Sequence, residues 1–85
     1  MKPVTMYIKP TCPYCQNAHF LLEDKGVHYT AINLLQQPER RDEMIERSNG
    51  RTTVPQVFIG DTHVGGFDEL EALNDSGELD QLLAE

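Results

Sequence analysis

The sequence predicts an α/β domain whose elements run β-α-β-α-β-β-α, with a four-stranded mixed sheet covered by helices on both faces. Three observations carry that expectation. A β-branched and aromatic run, Val4 to Lys9, leads directly into an amphipathic stretch with a helix start and stop. A second apolar run is followed by a second, charged helical stretch, repeating the alternation. Two short apolar runs then meet at Gly60-Asp61, and leucines at helical spacing fill the C-terminal part.

Strand 1, Val4 to Lys9, ends where Pro10 and Thr11 interrupt it. From Pro13 to Lys25, Cys15, Ala18, Leu21 and Leu22 mark one helical face, Pro13 suits the first turn and Gly26 supplies the stop. His28 to Asn33 reads as strand 2. Pro38 opens a charged helix through about Ser48 with Met44 and Ile45 inward, and Asn49-Gly50 ends it. Gln56 to Ile59 and Thr62 to Val64 read as a hairpin, closed by Gly65-Gly66. Over residues 68 to 84, Leu70, Leu73, Leu79, Leu82 and Leu83 keep a helical spacing broken near Ser76-Gly77, which predicts two short helices or one bent one.

A length of 85 residues implies one domain, residues 1–85. Hydrophobic residues at 39% and charged residues at 25% are ordinary for a globular chain and unlike a disordered or membrane one. Neither a secretory leader nor an apolar run near the ~18 residues needed to span a bilayer is evident, so a cytoplasmic monomer without membrane contact is expected. The net charge of -7 is a C-terminal property. Residues 1 to 60 hold seven Lys/Arg against six Asp/Glu, and residues 61 to 85 hold eight acids and no Lys/Arg. Such a chain lacks a phosphate-neutralising surface, so no nucleic-acid partner is expected; the acids read as a solvated face.

Cys12 and Cys15, the only cysteines, lie in T-C-P-Y-C-Q at the junction of strand 1 and helix 1. In a reducing compartment a lone pair at this spacing suits redox chemistry better than structure, because a bridge closing so short a loop adds little stability. The thiolate is the nucleophile, so the site must favour negative charge. The backbone N–H groups of Tyr14 and Cys15 at the helix start, the helix dipole and the Lys9 cation can all do so. Cys12, the outer residue, is the expected nucleophile, and Cys15, on the inner helical face, the resolver. C-x-x-C is also half of many zinc ligand sets, but His19, His28 and His63 are scattered, so no metal is expected.

With C-P-Y-C at Cys12 to Cys15, R-T-T-V-P-Q-V-F-I at Arg51 to Ile59 and H-V-G-G-F-D-E-L at His63 to Leu70, the chain resembles dithiol glutaredoxins, of the small bacterial third-glutaredoxin kind, from about residue 4 to 83. The resemblance implies a thioredoxin-like fold and a glutathione site. Thr53-Val54-Pro55 would form a loop with a cis proline whose Val54 backbone pairs with the tripeptide like an added strand. Gly65-Gly66 would let backbone approach the ligand, and the helix opening at Phe67-Asp68 would offer N–H donors to the γ-glutamyl carboxylate. Asp68 would pair with the γ-glutamyl ammonium, serve as the helix N-cap, or do both. Lys9 is the candidate for the glycyl carboxylate, ahead of Arg40 and Arg41, and Tyr14 would flank the mixed disulfide. Phe67 stands where some relatives carry a third cysteine.

By that resemblance the activity is glutathione-dependent thiol-disulfide exchange. Cys12 alone suffices for glutathionylated substrates, and Cys12 with Cys15 is needed for protein disulfides, ribonucleotide reductase being one family possibility. A potential of about -200 to -230 mV suits reduction by glutathione. Two other readings stand beside it. A thioredoxin-reductase-coupled carrier would share the shape, although G-G-F-D favours a γ-glutamyl group. An iron-sulfur cluster held between two subunits would use Cys12 and glutathione thiols, against which Pro13 and Tyr14 weigh.

Overall fold

The computed structural model describes residues 1–84; Glu85, the last of the C-terminal acids, lies outside the described residues. Strands β1 (Val4–Ile8), β2 (Thr30–Asn33), β3 (Gln56–Ile59) and β4 (Thr62–Gly65) form one sheet in the order β2-β1-β3-β4. β1 and β2 are parallel, pairing Thr5 with Thr30 and Ile8 with Asn33. β3 is antiparallel to both β1 and β4, with Met6 opposite Val57 and Ile59 opposite Thr62. Helices α1 (Pro13–Asp24), α2 (Arg41–Arg47), α3 (Phe67–Ser76) and α4 (Glu78–Leu83) complete the β-α-β-α-β-β-α order, with the last helix in two pieces.

Side-chain alternation along β1 and β3 divides the core between the two faces. Val4, Met6, Val57 and Ile59 face one way, onto Ala18 and Leu22 of α1, Leu70 of α3 and Leu79 and Leu83 of α4. Tyr7 and Phe58 face the other way, onto Ile32, Leu34 and Met44 of α2. The fully buried Tyr7 ring meets Phe58 edge-on. Its hydroxyl donates to Glu43 and accepts from Arg47 at 2.9 Å, which satisfies a polar atom that burial alone would penalise.

The boundaries of β1, β2 and the charged helix differ from expectation. β1 ends at Ile8, leaving Lys9 in the loop. β2 starts at Thr30 because Val27 N–H still bonds the Leu22 carbonyl at 2.9 Å and Tyr29 is tied to His19. The charged helix opens as a 3-10 turn over Pro38–Arg40, in which Arg40 N–H bonds Gln37, before α2 begins. Ile45 is only partly buried, whereas Met44 is fully so. The C-terminal break falls at Gly77, as expected, and its φ of 85° lies in the left-handed region that ends α3 and starts α4.

Packing places the end of β1 and the start of α1 between two loop systems. Residues after β2 lie on one side, and the β3-β4-α3 segment on the other.

Candidate functional site

β1 delivers the chain to Pro10 and Thr11, which break the strand, and Pro13 occupies the first position of α1 with its fixed φ and no N–H to satisfy. That leaves Cys12 as the N-cap, in extended conformation (φ -128°, ψ 104°), its sulfur accepting from the Cys15 N–H at 3.1 Å. Cysteine thus stands where Ser, Thr or Asp usually caps a helix, and its negative form is the better acceptor for that donor. Cys12 is half-buried, and its Sγ lies 3.7 Å from the Val54 carbonyl oxygen.

Cys15 differs in kind. One turn into α1 it is only 5% exposed. Burial first, and then its hydrogen bond with the Cys12 sulfur, push the Cys15 thiol up to about 12, while the Lys9 backbone N–H opposes the rise. Both cysteines are free thiols. One sulfur is accessible and receives a helix N–H; the other is held protonated beneath it.

Beside this pair opens a groove of about 280 Å³ lined by Tyr14, Arg51, Thr53, Val54, Pro55, Gly66, Phe67, Asp68 and Glu69. The Val54-Pro55 peptide is cis, and Pro55 is buried where β3 begins. Tyr14, 60% exposed, stacks with Phe67 across the groove at 6.5 Å between ring centroids. Gly65 has a φ of 119°, and a side chain there would collide with the Glu69 carboxylate and Arg51. Gly66 is the N-cap of α3, with Phe67 first in the helix and Asp68 second. Asp68 is therefore not the N-cap. The capping contact comes instead from Glu69, whose carboxylate accepts from the Gly66 N–H at 3.0 Å.

The structure brings together Cys12, Cys15, Tyr14, Thr53, Val54, Pro55, Gly66, Phe67 and Asp68, while Lys9 borders Cys15 without lining the groove. Lys9 is exposed on the other side of the Cys12 loop, in a hollow formed with Pro10, Thr11, Leu34 and Leu35. Arg40 is paired with Glu43 at 2.9 Å. Neither Arg40 nor Arg41 lines the groove.

Two groups of residues, one lining the groove and one behind it, were given no role by the sequence reading. Arg51 and Glu69 form an ion pair inside the groove, and the Gly66 N–H and then Arg51 hold the Glu69 carboxyl below the usual carboxylate range. Buried Ser48 lies between the two segments, its hydroxyl donating to the Met44 carbonyl at 2.6 Å with the Arg51 carbonyl 3.1 Å away. Fully buried Gln56 donates to the Thr53 carbonyl at 3.0 Å and to its hydroxyl at 3.3 Å, and meets His63 Nε2 at 2.7 Å. The one available signal was that Arg51 and Gln56 lie in one of the motif segments already singled out, and His63 and Glu69 in the other. The remaining histidines lie apart from the thiols: His19 and His28 line a separate hollow with Glu23, Val27 and Tyr29.

Residues 4–64 match the family model described as Glutaredoxin. Glutaredoxin 3 of Escherichia coli K12 is 51% identical over 83 residues, covering 98% of this chain and 99% of that protein. The solution structure of glutaredoxin from Brucella melitensis superimposes with a TM-score of 0.83 at 52% identity, over 98% of this chain and 89% of that one. The crystal structure of a buckwheat glutaredoxin-glutathione complex superimposes with a TM-score of 0.87 at 30% identity, over 96% of this chain and 76% of that one.

Proposed function

The chain belongs to the glutaredoxin family of thiol-disulfide oxidoreductases, and on that premise we propose that it draws its electrons from glutathione held in the groove beside Cys12. The observation that carries the reading is the position of the Cys12 sulfur, which takes the Cys15 N–H while bordering the Val54 carbonyl at the groove edge. A related glutaredoxin has been solved as a glutathione complex, which supports the same ligand here.

Glutathione is a short extended peptide with two carboxylates and one ammonium, and the groove offers complements to each part. Val54 presents backbone to the cysteinyl unit in the manner of an added strand. The N-terminus of α3 suits the γ-glutamyl carboxylate, and Asp68 the γ-glutamyl ammonium. Lys9, across the Cys12 loop from Asp68, takes the glycyl carboxylate, while Tyr14 and Phe67 shield the sulfur from water. Arg51 adds a cation at the γ-glutamyl end, provided its pairing with Glu69 loosens.

In the one-cysteine route the Cys12 thiolate attacks the glutathione sulfur of a glutathionylated protein. The Cys12-glutathione bond forms as the protein thiolate leaves and picks up a proton. A second glutathione thiolate then attacks that mixed disulfide, releasing oxidised glutathione and the Cys12 thiolate. In the two-cysteine route Cys12 attacks a protein disulfide, and Cys15 must give up its proton before its thiolate displaces the protein thiol from Cys12. Two glutathiones return the Cys12-Cys15 disulfide to dithiol. The high Cys15 pKa makes the second route the more demanding of proton removal.

Turnover of a glutathionylated peptide coupled to glutathione and glutathione reductase tests the reading, with thioredoxin reductase as the competing electron source. Activity with the former is expected. Activity with thioredoxin reductase alone overturns the glutathione assignment.

A further inference from the structure

The loop that borders Cys12 is held from behind by a side-chain chain that reaches the opposite strand of the hairpin. Gln56 has no exposed surface, and its amide must satisfy its polar atoms within the protein. The Thr53 carbonyl can only accept, so the amide nitrogen must face it, at 3.0 Å. The amide oxygen consequently faces His63 Nε2, at 2.7 Å, and that nitrogen must carry the proton. The imidazole is itself fixed against the Phe58 ring at 4.9 Å between centroids, and the Arg47 guanidinium also packs on Phe58, at 4.2 Å.

We propose that His63 is a positioning residue for glutathione: its Nε2–H orients the buried Gln56 amide, which fixes Thr53 and so sets the Val54 backbone for the bound tripeptide. This rests on the glutathione reading given above. His63 is absent from the lining of the groove, so it acts only through Gln56. The alternative tautomer, with Nε2 unprotonated, places a lone pair against the Gln56 oxygen or forces the amide to turn its oxygen onto the Thr53 carbonyl. Either arrangement sets two acceptors against each other in a buried site. Protonation of Nδ1 leaves the Nε2–H in place, so the chain survives in both charge states of the ring. Burial, and after it the charge of Arg51, lower the His63 pKa and favour the neutral, Nε2-protonated form at neutral pH.

The loss of one such orienting bond predicts an effect on binding rather than on sulfur chemistry. With a glutathionylated peptide as substrate, His63→Ala is expected to raise KM about three- to tenfold, the size expected for one hydrogen bond, with kcat changed less than about twofold. His63→Gln, which keeps an N–H donor of similar reach, should recover most of that loss. Asp68→Asn runs alongside as a direct groove variant. If Asp68→Asn raises KM and His63→Ala does not, the positioning role is wrong and the glutathione groove stands. If neither variant raises KM, both fail. Should His63→Ala not fold, nitrogen NMR of the unmodified protein decides: Nε2-protonated His63 and slowly exchanging Gln56 amide protons support the role, and a neutral ring protonated only at Nδ1 overturns it.

Discussion

Removing the outer thiol by Cys12→Ser isolates Cys15, whose reactivity follows from its burial. The Cys15 thiol is pushed from an ordinary value near 9 to about 12, with burial the largest cause and the hydrogen bond to Cys12 the second. A thiol of that pKa has a thiolate population about a thousandfold smaller at neutral pH than one titrating near 9. Iodoacetamide modifies the thiolate, and only 5% of Cys15 is open to solvent. Serine at position 12 removes the second cause and leaves the first. Cys15 in the Cys12→Ser protein should therefore be alkylated at pH 7 at least about 100-fold more slowly than a cysteine peptide in the same buffer. The assay is mass spectrometry of the α1 peptide against time, repeated at rising pH. The rate should keep climbing beyond pH 9 towards 12 while the protein stays folded. A rate within about tenfold of the free peptide at pH 7 refutes the burial argument, and so does a plateau near pH 9.

Three further outcomes follow from particular contacts. A thiol whose folded pKa is raised binds its proton more tightly when folded, so the Cys15 contribution to stability is full below about pH 9 and lost between there and about 12; Cys15→Ser should flatten the alkaline limb of a denaturation-against-pH curve. The Glu69 carboxyl is held low by the Gly66 N–H and Arg51, so its contribution is present above the ordinary carboxylate range and lost as pH falls through its lowered value; Glu69→Gln should flatten the acid limb. Leu70→Ala, at a fully buried position where α3 meets the sheet, should cost about 2 to 5 kcal/mol in urea denaturation, and a cost under about 1 kcal/mol would mean that this core is not packed as described.

The element order and the mixed sheet were legible because β-branched and aromatic runs such as Val4 to Lys9 and Gln56 to Ile59, and the helical spacing of Cys15, Ala18 and Leu22, lie between clear breakers. The helix-start thiol was legible for a similar local reason, since Pro10-Thr11 and Pro13 bracket Cys12. Contacts between distant residues were not. Arg51 reaches Glu69 eighteen residues away, and Gln56 reaches His63 across the hairpin, pairings that depend on the β3-β4 register and its bulge between Val57 and Phe58. The capping of α3 was misplaced for want of that geometry. Asp68 is a good N-cap residue type, but Gly66 occupies the cap position and Glu69, one turn on, folds back to it. Lys9, which the resemblance assigns to the glycyl carboxylate, follows the end of β1 and lines the hollow with Leu34 and Leu35, a neighbourhood set by the β1-β2 pairing and not by local sequence.

The two sulfurs are unequal, one accessible and served by a helix N–H and the other buried and protonated, and a single comparison tests that inequality. Reduction of a glutathionylated peptide is measured with glutathione and glutathione reductase for Cys12→Ser and Cys15→Ser side by side. Cys12→Ser should be inactive, whereas Cys15→Ser keeps the activity on this substrate and loses it on a protein disulfide. Equal loss in the two variants on the glutathionylated peptide would contradict the assigned roles.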